Sequence, residues 1–332
     1  MHRLLRIKSP DQLAEHPRPG FPGWYDSSAI FRHQPQEHWV AVAPDHSISA
    51  ECSLWWEDTP RLPDQKPGLI GHYAATDAGA AGQLLRHACS RLADRRCTLA
   101  IGPMDGSTWR RYRLLTERGT EPTFFLEPDN PDDWPDHFTH AGFHVLAGYY
   151  SAINTDLTRA DPRLDRVRDR LDHLGIRLRP LAPDRFLQEL EAIFTVARVS
   201  FRGNFLYTRI RQDAFIQEYQ AIRPLIRSEL ILIAEREGEP IGFVFTLPNL
   251  RHGERGPSTD TAILKTVATL PDRQYAGLGS LLVAETQSRA RDLGYHRVIH
   301  ALMHQGNHSI NVSSRYATPF RRYSLFANQL SS

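Results

Sequence analysis

Arg273-Gln274-Tyr275-Ala276-Gly277-Leu278-Gly279-Ser280 lies between an apolar run, Thr261 to Leu270, and an amphipathic one, Leu281 to Leu293. The pattern reads as a strand, a short turn with two glycines, and the start of a helix. The first turn of a helix leaves backbone N–H groups unpaired and carries a partial positive charge, so it can hold an anion. Gly277 and Gly279 lack the Cβ atoms that would keep a phosphate away from those groups. A P-loop would need Gly-Lys-Ser/Thr after a longer gap, and no Lys follows Gly279. A dinucleotide-binding turn would need a third glycine where Leu282 stands. Taken alone, the turn admits several phosphate ligands, or a purely structural role.

Working outward, the 332-residue chain is too long for one small domain, and two domains are expected. Hydrophobic content of 41% and charged content of 23% are those of an ordinary globular protein. A net charge of +2, with no long Lys/Arg cluster, disfavours strong nucleic-acid binding. Cys52, Cys89 and Cys97 are few and lack metal-ligand spacing, which suits a reducing cytosol. The opening Met1 to Arg6 has no apolar core of signal-peptide length, and no run reaches the length of a membrane span. A cytoplasmic protein without membrane or nucleic-acid partners is expected.

Residues 1–35, rich in Pro, His and aromatics, read as an irregular arm or a broken first helix. Trp39 to Ala43 and Ser47 to Trp56 alternate as a hairpin, and Leu69 to Thr76 reads as a third strand. A helix over Ala80 to Asp94, a strand over Thr98 to Ile101 and a helix starting at Thr108 behind Ser107 follow. Thr123 to Leu126 reads as a strand, Trp134 to His140 as a helix and Val145 to Asn154 as a strand. Residues 156–180 form a charged junction with a helix over Arg163 to Leu174. Helices over Pro183 to Ser200 and Asp213 to Ile226 precede a hairpin, Leu230 to Glu235 and Ile241 to Leu247. After the opening strand, turn and helix come a strand, Arg297 to Met303, a helix, Ser309 to Tyr316, and a strand, Tyr323 to Ala327. Laying Ala80-Ala81-Gly82 over Gly277-Leu278-Gly279 brings the elements of both halves into step, as a diverged duplication would.

With these elements in place, the chain resembles the GCN5-related N-acetyltransferase (GNAT) superfamily. Gln274, Gly277 and Gly279 match the family's Gln/Arg-x-x-Gly-x-Gly/Ala turn, and Pro271 matches the Pro ahead of it. The resemblance is good over about 180–330 and weaker over 36–155. It implies an α/β fold of α+β type with a mixed sheet, as two tandem GNAT-like domains. These are 1–155, a degenerate copy with its arm, and 181–332, the acyltransferase copy, joined by the junction 156–180.

The resemblance also implies a donor, acetyl-CoA or another acyl-CoA. Its pyrophosphate would rest on backbone N–H groups of Gln274, Tyr275, Ala276, Gly277, Leu278, Gly279 and Ser280. Its pantetheine arm would pair with the backbone around Thr269 and Leu270. An arm held like an added strand fixes the thioester for an incoming amine, and nearby free N–H groups can polarise its carbonyl. Tyr316 best matches the family's acid for the departing thiolate. The family's Asn seven residues earlier falls on Ser309, with Asn307 two residues before that as the candidate for its role. Tyr323 is a weaker candidate for that acid, because it begins the last strand. No base is evident; Lys265 and Thr266 stand where some relatives carry a carboxylate, and His304 is a candidate relay or a plain surface His.

The acceptor, a small-molecule amine or a peptide, should meet the loop Phe201 to Tyr207, with Asn204 and Tyr207 as contacts. His137, His140 and His144, and likewise His296, His300 and His304, lack the partners of a metal site, so no metal is expected. In the first half Ala80 replaces the first glycine and Asp77 adds negative charge, so that copy should not bind coenzyme A. The expected function is acyl transfer from a coenzyme A thioester to an amine by direct attack. The alternatives are a donor thioester borne by an acyl carrier protein and a non-catalytic coenzyme A-binding or interaction module.

Overall fold

The computed structural model describes residues 2–22, 27–250, 260–306 and 309–330. The first half runs β1 (Arg3–Ile7), α1 (Pro10–Ala14), α2 (Ala29–Arg32), β2 (Glu37–Val42), β3 (Ile48–Trp55), β4 (Pro67–Ala75) and α3 (Ala78–Asp94). It continues with β5 (Leu99–Gly102), β6 (Leu114–Glu117), α4 (Trp134–His140) and β7 (His144–Asn154). The second half begins with α5 (Arg163–His173), β8 (Ile176–Pro180), α6 (Phe186–Ser200), α7 (Gln212–Ala221), β9 (Ile231–Arg236) and β10 (Glu239–Pro248). It ends with β11 (Thr261–Thr269), α8 (Leu278–Asp292), β12 (Arg297–His304), α9 (Ser309–Ser313) and β13 (Thr318–Gln329).

Side-chain alternation along the strands builds the two cores of the second half. β9 sends Leu232 and Ala234 to one face and Ile231 and Ile233 to the other, and β10 separates Val244 from Phe243 and Phe245. Leu190, Ile193 and Phe194 of α6 cover one face, and Leu278, Leu281 and Leu282 of α8 cover the other. In the first half, β3 and β4 are buried along their whole length. There α3 supplies the cover through Ala81, Leu84, Leu85, Ala88 and Leu92.

Among the described residues the strands join in one sheet, ordered β1-β2-β3-β4-β5-β13-β7-β12-β11-β10-β9-β8, with β6 beside β13. This order contains an exchange. The last strand of the chain, β13, pairs with β5 of the first half through Phe326↔Gly102 to Gln329↔Leu99. The last strand of the first half, β7, pairs with β12 of the second through Val298↔Asn154 and Ile299↔Ile153. The two exchanged strands then pair with each other from Thr318↔Ile153 to Ala327↔His144. Each half therefore closes its sheet with a strand from the other.

Four local expectations change. The described part of the N-terminal arm adds a strand to its short helices: β1 pairs with β2 from Arg3↔Val42 to Ile7↔His38, and Ser9 caps α1 by accepting from Gln12 N–H. No helix starts at Thr108; the segment turns instead, with Trp109 Nε1 donating to the Thr208 carbonyl at 2.8 Å across the two halves. Thr123 to Leu126 is a loop held by Glu127, which accepts from Phe124 N–H, and the short strand lies at β6. The 156–180 segment is more than a junction, because β8 is the edge strand of the second half, paired with β9 from Ile176↔Arg236 to Pro180↔Leu232.

Candidate active site

The glycine turn forms where β11 ends and α8 begins. Gly277, at φ 85°, is the residue before the helix, and no side chain caps that end. A Cβ on Gly277 would sit 2.9 Å from Val167 Cγ1, so α5 packs against the turn as closely as glycine allows. Arg170 of α5 donates to the carbonyls of Gln274 and Ala276, bringing positive charge to the same place.

The N–H groups expected to cradle phosphate divide into two sets. Gln274 N–H is bonded to Asp272 Oδ1, Tyr275 N–H to the Asp272 carbonyl and Ala276 N–H to the Arg273 carbonyl. Those of Gly277, Leu278, Gly279 and Ser280 have no backbone partner among the described residues. The Gln274 side chain is itself a brace, accepting from Arg236 at 2.6 Å and donating to Asp272 at 2.8 Å. Of the seven expected N–H groups, the last four are thus the ones left open.

β11 and β12 run parallel from Thr261↔Arg297 to Leu264↔His300 and then separate. On its other edge β11 stays paired with β10, where a bulge leaves Lys265 opposite no partner between Leu264 and Thr266. Leu270 N–H bonds to the Ile241 carbonyl, so Leu270 faces β10 and does not offer the N–H expected of it. By the alternation of an antiparallel ladder, Val267 and Thr269 turn their backbone groups to the open edge. The Thr269 carbonyl accepts from Ser200 Oγ of α6 at 2.7 Å. Val267 was missed in the sequence because register, not composition, decides which residues face outward.

The separated strands open onto a cavity of about 1010 Å³ bounded by both halves. Asn204 and Tyr207 line it, as do Lys265, Thr266 and His304. Burial lowers the His304 pKa, with Arg113 adding to the effect. Its Nδ1 accepts from Gly306 N–H at 3.0 Å, which puts the proton of the neutral ring on Nε2 and makes it a poor base. Enclosure by the cavity walls also lowers the Lys265 pKa, opposed by the Glu218 carboxylate, although the side chain is reached by solvent from the cavity. Glu218 of α7 lines the same cavity and was not singled out in the sequence. Its helical spacing from buried Phe215 was the available signal.

Tyr316 is buried beside α8, with its hydroxyl lacking a hydrogen-bond partner. Burial and the nearby Asp161 raise its pKa, so it stays protonated. It does not line the cavity itself; Val312 and Ser313, just before it, do. Asn307 lies outside the described residues. Tyr323 is committed elsewhere, its hydroxyl bonded to Glu127 and Ser151 in the core.

The two histidine groups weighed in the sequence have other contacts. His137 contacts Tyr73 Oη at 2.8 Å while His140 and His144 are exposed. His300 contacts Ser313 Oγ at 2.8 Å and Gln287 Oε1 at 3.2 Å, tying β12 to α9 and α8 in the cavity wall. Burial pushes its pKa down to about 4. Among the described residues, a different trio, His33, His72 and Asp105, places its potential ligand atoms within 4.8 Å of one another. Its two rings already share a 2.8 Å hydrogen bond, and the charge of Arg110 acts on both histidines.

The first-half counterpart of the turn is built differently. Asp77 caps α3 by accepting from Ala80 N–H at 2.7 Å, placing a carboxylate where the second half has open N–H groups. β4 and β5 pair from Pro67↔Leu99 to Leu69↔Ile101, but the space beyond is filled. Met104 N–H bonds to the Ile70 carbonyl and Asp105 Oδ1 accepts from His72 N–H at 2.5 Å.

Residues 190–313 match the model of the acetyltransferase (GNAT) family. Protein YghO of Escherichia coli (strain K12) is 22% identical over 258 residues, which cover 69% of this chain and 65% of that protein. The chain thus spans just under two-thirds of that relative. Two solved structures share the fold. A tandem GNAT protein from the clavulanic acid biosynthesis pathway superposes with a TM-score of 0.52 at 14% identity, covering 100% of this chain and 99% of that one. The GCN5-related glucosamine N-acetyltransferase region of a fungal multi-domain GH3 β-N-acetylglucosaminidase gives 0.55 at 14%, covering 98% of this chain and 38% of that one. The chain therefore has a GNAT fold in tandem form, and its residues 190–313 match the acetyltransferase (GNAT) family model.

Proposed function

We propose that the protein is an N-acyltransferase that moves an acyl group, acetyl in the first instance, from a coenzyme A thioester to an amine. One observation carries this reading: an open strand edge at Val267 and Thr269 leads from four unpaired N–H groups, Gly277 to Ser280, to a cavity walled by both halves. The cradle suits a pyrophosphate, and the strand edge suits an extended arm bearing amides. A carrier-bound donor has no second phosphate to use the whole cradle, so free acyl-CoA is favoured. The working copy is 181–332, with 1–155 as a supporting copy, and we place the protein in the cytoplasm. Among the described residues no helix is long and apolar enough to cross a membrane.

The residues divide the work as follows. Gly277 to Ser280 hold the donor's phosphates, and Val267 and Thr269 pair with its arm. Asn204 and Tyr207 contact the acceptor at the cavity mouth. Glu218, the carboxylate on the α7 wall, attracts the acceptor's ammonium and takes its proton. The amine nitrogen bonds to the acyl carbon as the carbon–sulfur bond breaks, and the departing sulfur takes the proton of Tyr316, whose unpartnered hydroxyl belongs to the segment just after the cavity-lining Val312 and Ser313. The second proton of the nitrogen then returns to the Tyr316 phenolate through water.

Calorimetric titration with acetyl-CoA tests the donor site. Gly279→Glu is chosen because a Cβ there meets only Thr269 Cγ2, at 3.9 Å, so the fold tolerates it. The added carboxylate should weaken binding by about 100-fold or more; equal binding by both proteins would sink the site. Glu218→Gln should lower kcat by about 100-fold with donor binding intact. Tight binding of acetyl-CoA with no turnover on any amine would favour a non-catalytic module, and turnover only with a loaded carrier protein would favour that donor.

A further inference from the structure

The cavity wall carries a cation that the acyl-transfer reading does not use. Arg113, contributed by the first half, is 6% exposed and lines the cavity. Its guanidinium sits in a corner made by two rings, 3.9 Å from the centroid of Tyr112 and 4.3 Å from that of Tyr149. Nη1 donates to the Leu302 carbonyl at 3.2 Å, and Nε is buried with no hydrogen-bond partner. Among the described residues no carboxylate pairs with it. Glu127, on the same wall, is bonded to Arg321 at 2.5 Å and to Tyr323. Glu218 lies near the other cations, Lys265 and Arg110.

A buried guanidinium without a counter-ion is unfavourable unless something completes it. A second cavity of about 30 Å³, beneath Arg113, has room for a water. A water there would satisfy a donor and leave the charge uncompensated. The carbonyl that Arg113 touches belongs to Leu302 on β12, two residues past His300, where the strands separate. Arg113 thus lines the cavity from the first half, beside the point where the strands separate, and Glu218 lines it from α7 with the opposite charge.

We infer that the acceptor is an amine that also carries a carboxylate, an amino-acid-like molecule, and that Arg113 is the subsite for that carboxylate. The inference rests on the acyl-transfer reading for the amine end alone. A carboxylate matches the two-donor edge of a guanidinium and cancels the charge that the fold leaves open. The aromatic residues that the second half adds to the cavity lining, Phe201, Phe205, Phe215 and Tyr219, suit an apolar or aromatic side chain on that acceptor. A carboxylate-binding residue supplied by the first half also explains why a copy without a coenzyme A cradle contributes to the site.

The test uses matched probes: L-phenylalanine with phenethylamine, and L-leucine with isopentylamine. With acetyl-CoA present, thiol release should show kcat/KM for each amino acid exceeding that for its decarboxylated partner by about tenfold or more. Arg113→Gln should collapse the ratio towards unity, and Arg113→Lys should restore part of it. Wild-type preference for the decarboxylated amines, or an unchanged ratio in Arg113→Gln, would overturn the subsite. Thermal unfolding without any donor separates the two readings. The amino acids should raise the wild-type midpoint, the decarboxylated amines should not, and Arg113→Gln should lose the shift. A shift of that pattern with no turnover would reject acyl transfer and keep the subsite. No shift with either amino acid would reject the subsite whatever the turnover.

Discussion

The two halves share one order of elements and treat the same two features in opposite ways. In the second half, α8 begins at a left-handed glycine with its first N–H groups unpaired, and the strands beside it part around a cavity. In the first half, a carboxylate from Asp77 occupies the start of α3, and the gap between strands is taken up by the chain itself. Gly71 shows how tightly: a Cβ there would lie 2.1 Å from the Met104 carbonyl. A cap and a filled gap stabilise a fold, whereas an open helix end and an open strand edge are available to a ligand. The difference teaches that what a helix start and a strand edge leave unpaired sets what they can offer a ligand, and that the same frame offers nothing when its own groups satisfy it.

The exchange of strands offers the strongest way to break this comparison. Expressed separately, 1–155 would lack β13, and 156–332 would lack β7, so each would expose an unpaired edge in mid-sheet. Phe326 of β13 also belongs to the first-half core, where it stacks on Phe138 with centroids 5.7 Å apart. Neither piece should fold alone, and the two should recover native circular dichroism when refolded together. Independent folding of either would show that the exchanged pairing is dispensable.

Next in size is the paired charge reversal. Gly82 is the first-half counterpart of Gly279, and a Cβ there meets only the flexible end of Arg86, at 3.2 Å. Gly82→Glu should leave the calorimetric isotherm for acetyl-CoA unchanged, in contrast to the roughly 100-fold loss expected of Gly279→Glu. Loss in both variants would mean that the halves share one donor site.

Acid separates the halves by a smaller amount. Burial, with help from neighbouring charges, holds the His33 and His72 pKa values down at about 3, and burial alone holds His300 at about 4, against an ordinary 6.5. Below 6.5 the unfolded chain binds more protons than the folded one, so stability is complete above that pH and falls as pH drops through the folded values. Urea unfolding should show a decline beginning just below neutrality. His300→Gln should remove the share that ends near 4, and His72→Gln should remove part of the share that ends near 3. A stability profile flat through this range in the wild type would contradict the burial of all three rings.

The smallest effect concerns the cap. Asp77→Ala should cost about 1 kcal/mol of stability, read from the denaturant midpoint, without creating a second coenzyme A site, because the strand gap stays filled. A stoichiometry of two acetyl-CoA molecules would show that the cap alone had silenced the first half.

What the sequence determined by itself were the local features, since spacing of apolar residues and placement of glycine act over a few positions. The helices of α3, α6 and α8, the hairpin β9–β10 and the uncapped glycine turn were legible in that way, as was the negative charge of Asp77. The α/β class and the tandem order followed from the elements in series. Tertiary structure decided the rest, because long-range pairing leaves little local trace. The helix expected at Thr108 gave way to a contact between Trp109 and the second half. Register turned Leu270 inward and Val267 outward. The exchange of β7 and β13, and the meeting of Arg113 with Glu218 across one cavity, join residues more than 100 positions apart. Only the continuous sheet brings such residues together, so only the fold could reveal that both halves wall one cavity.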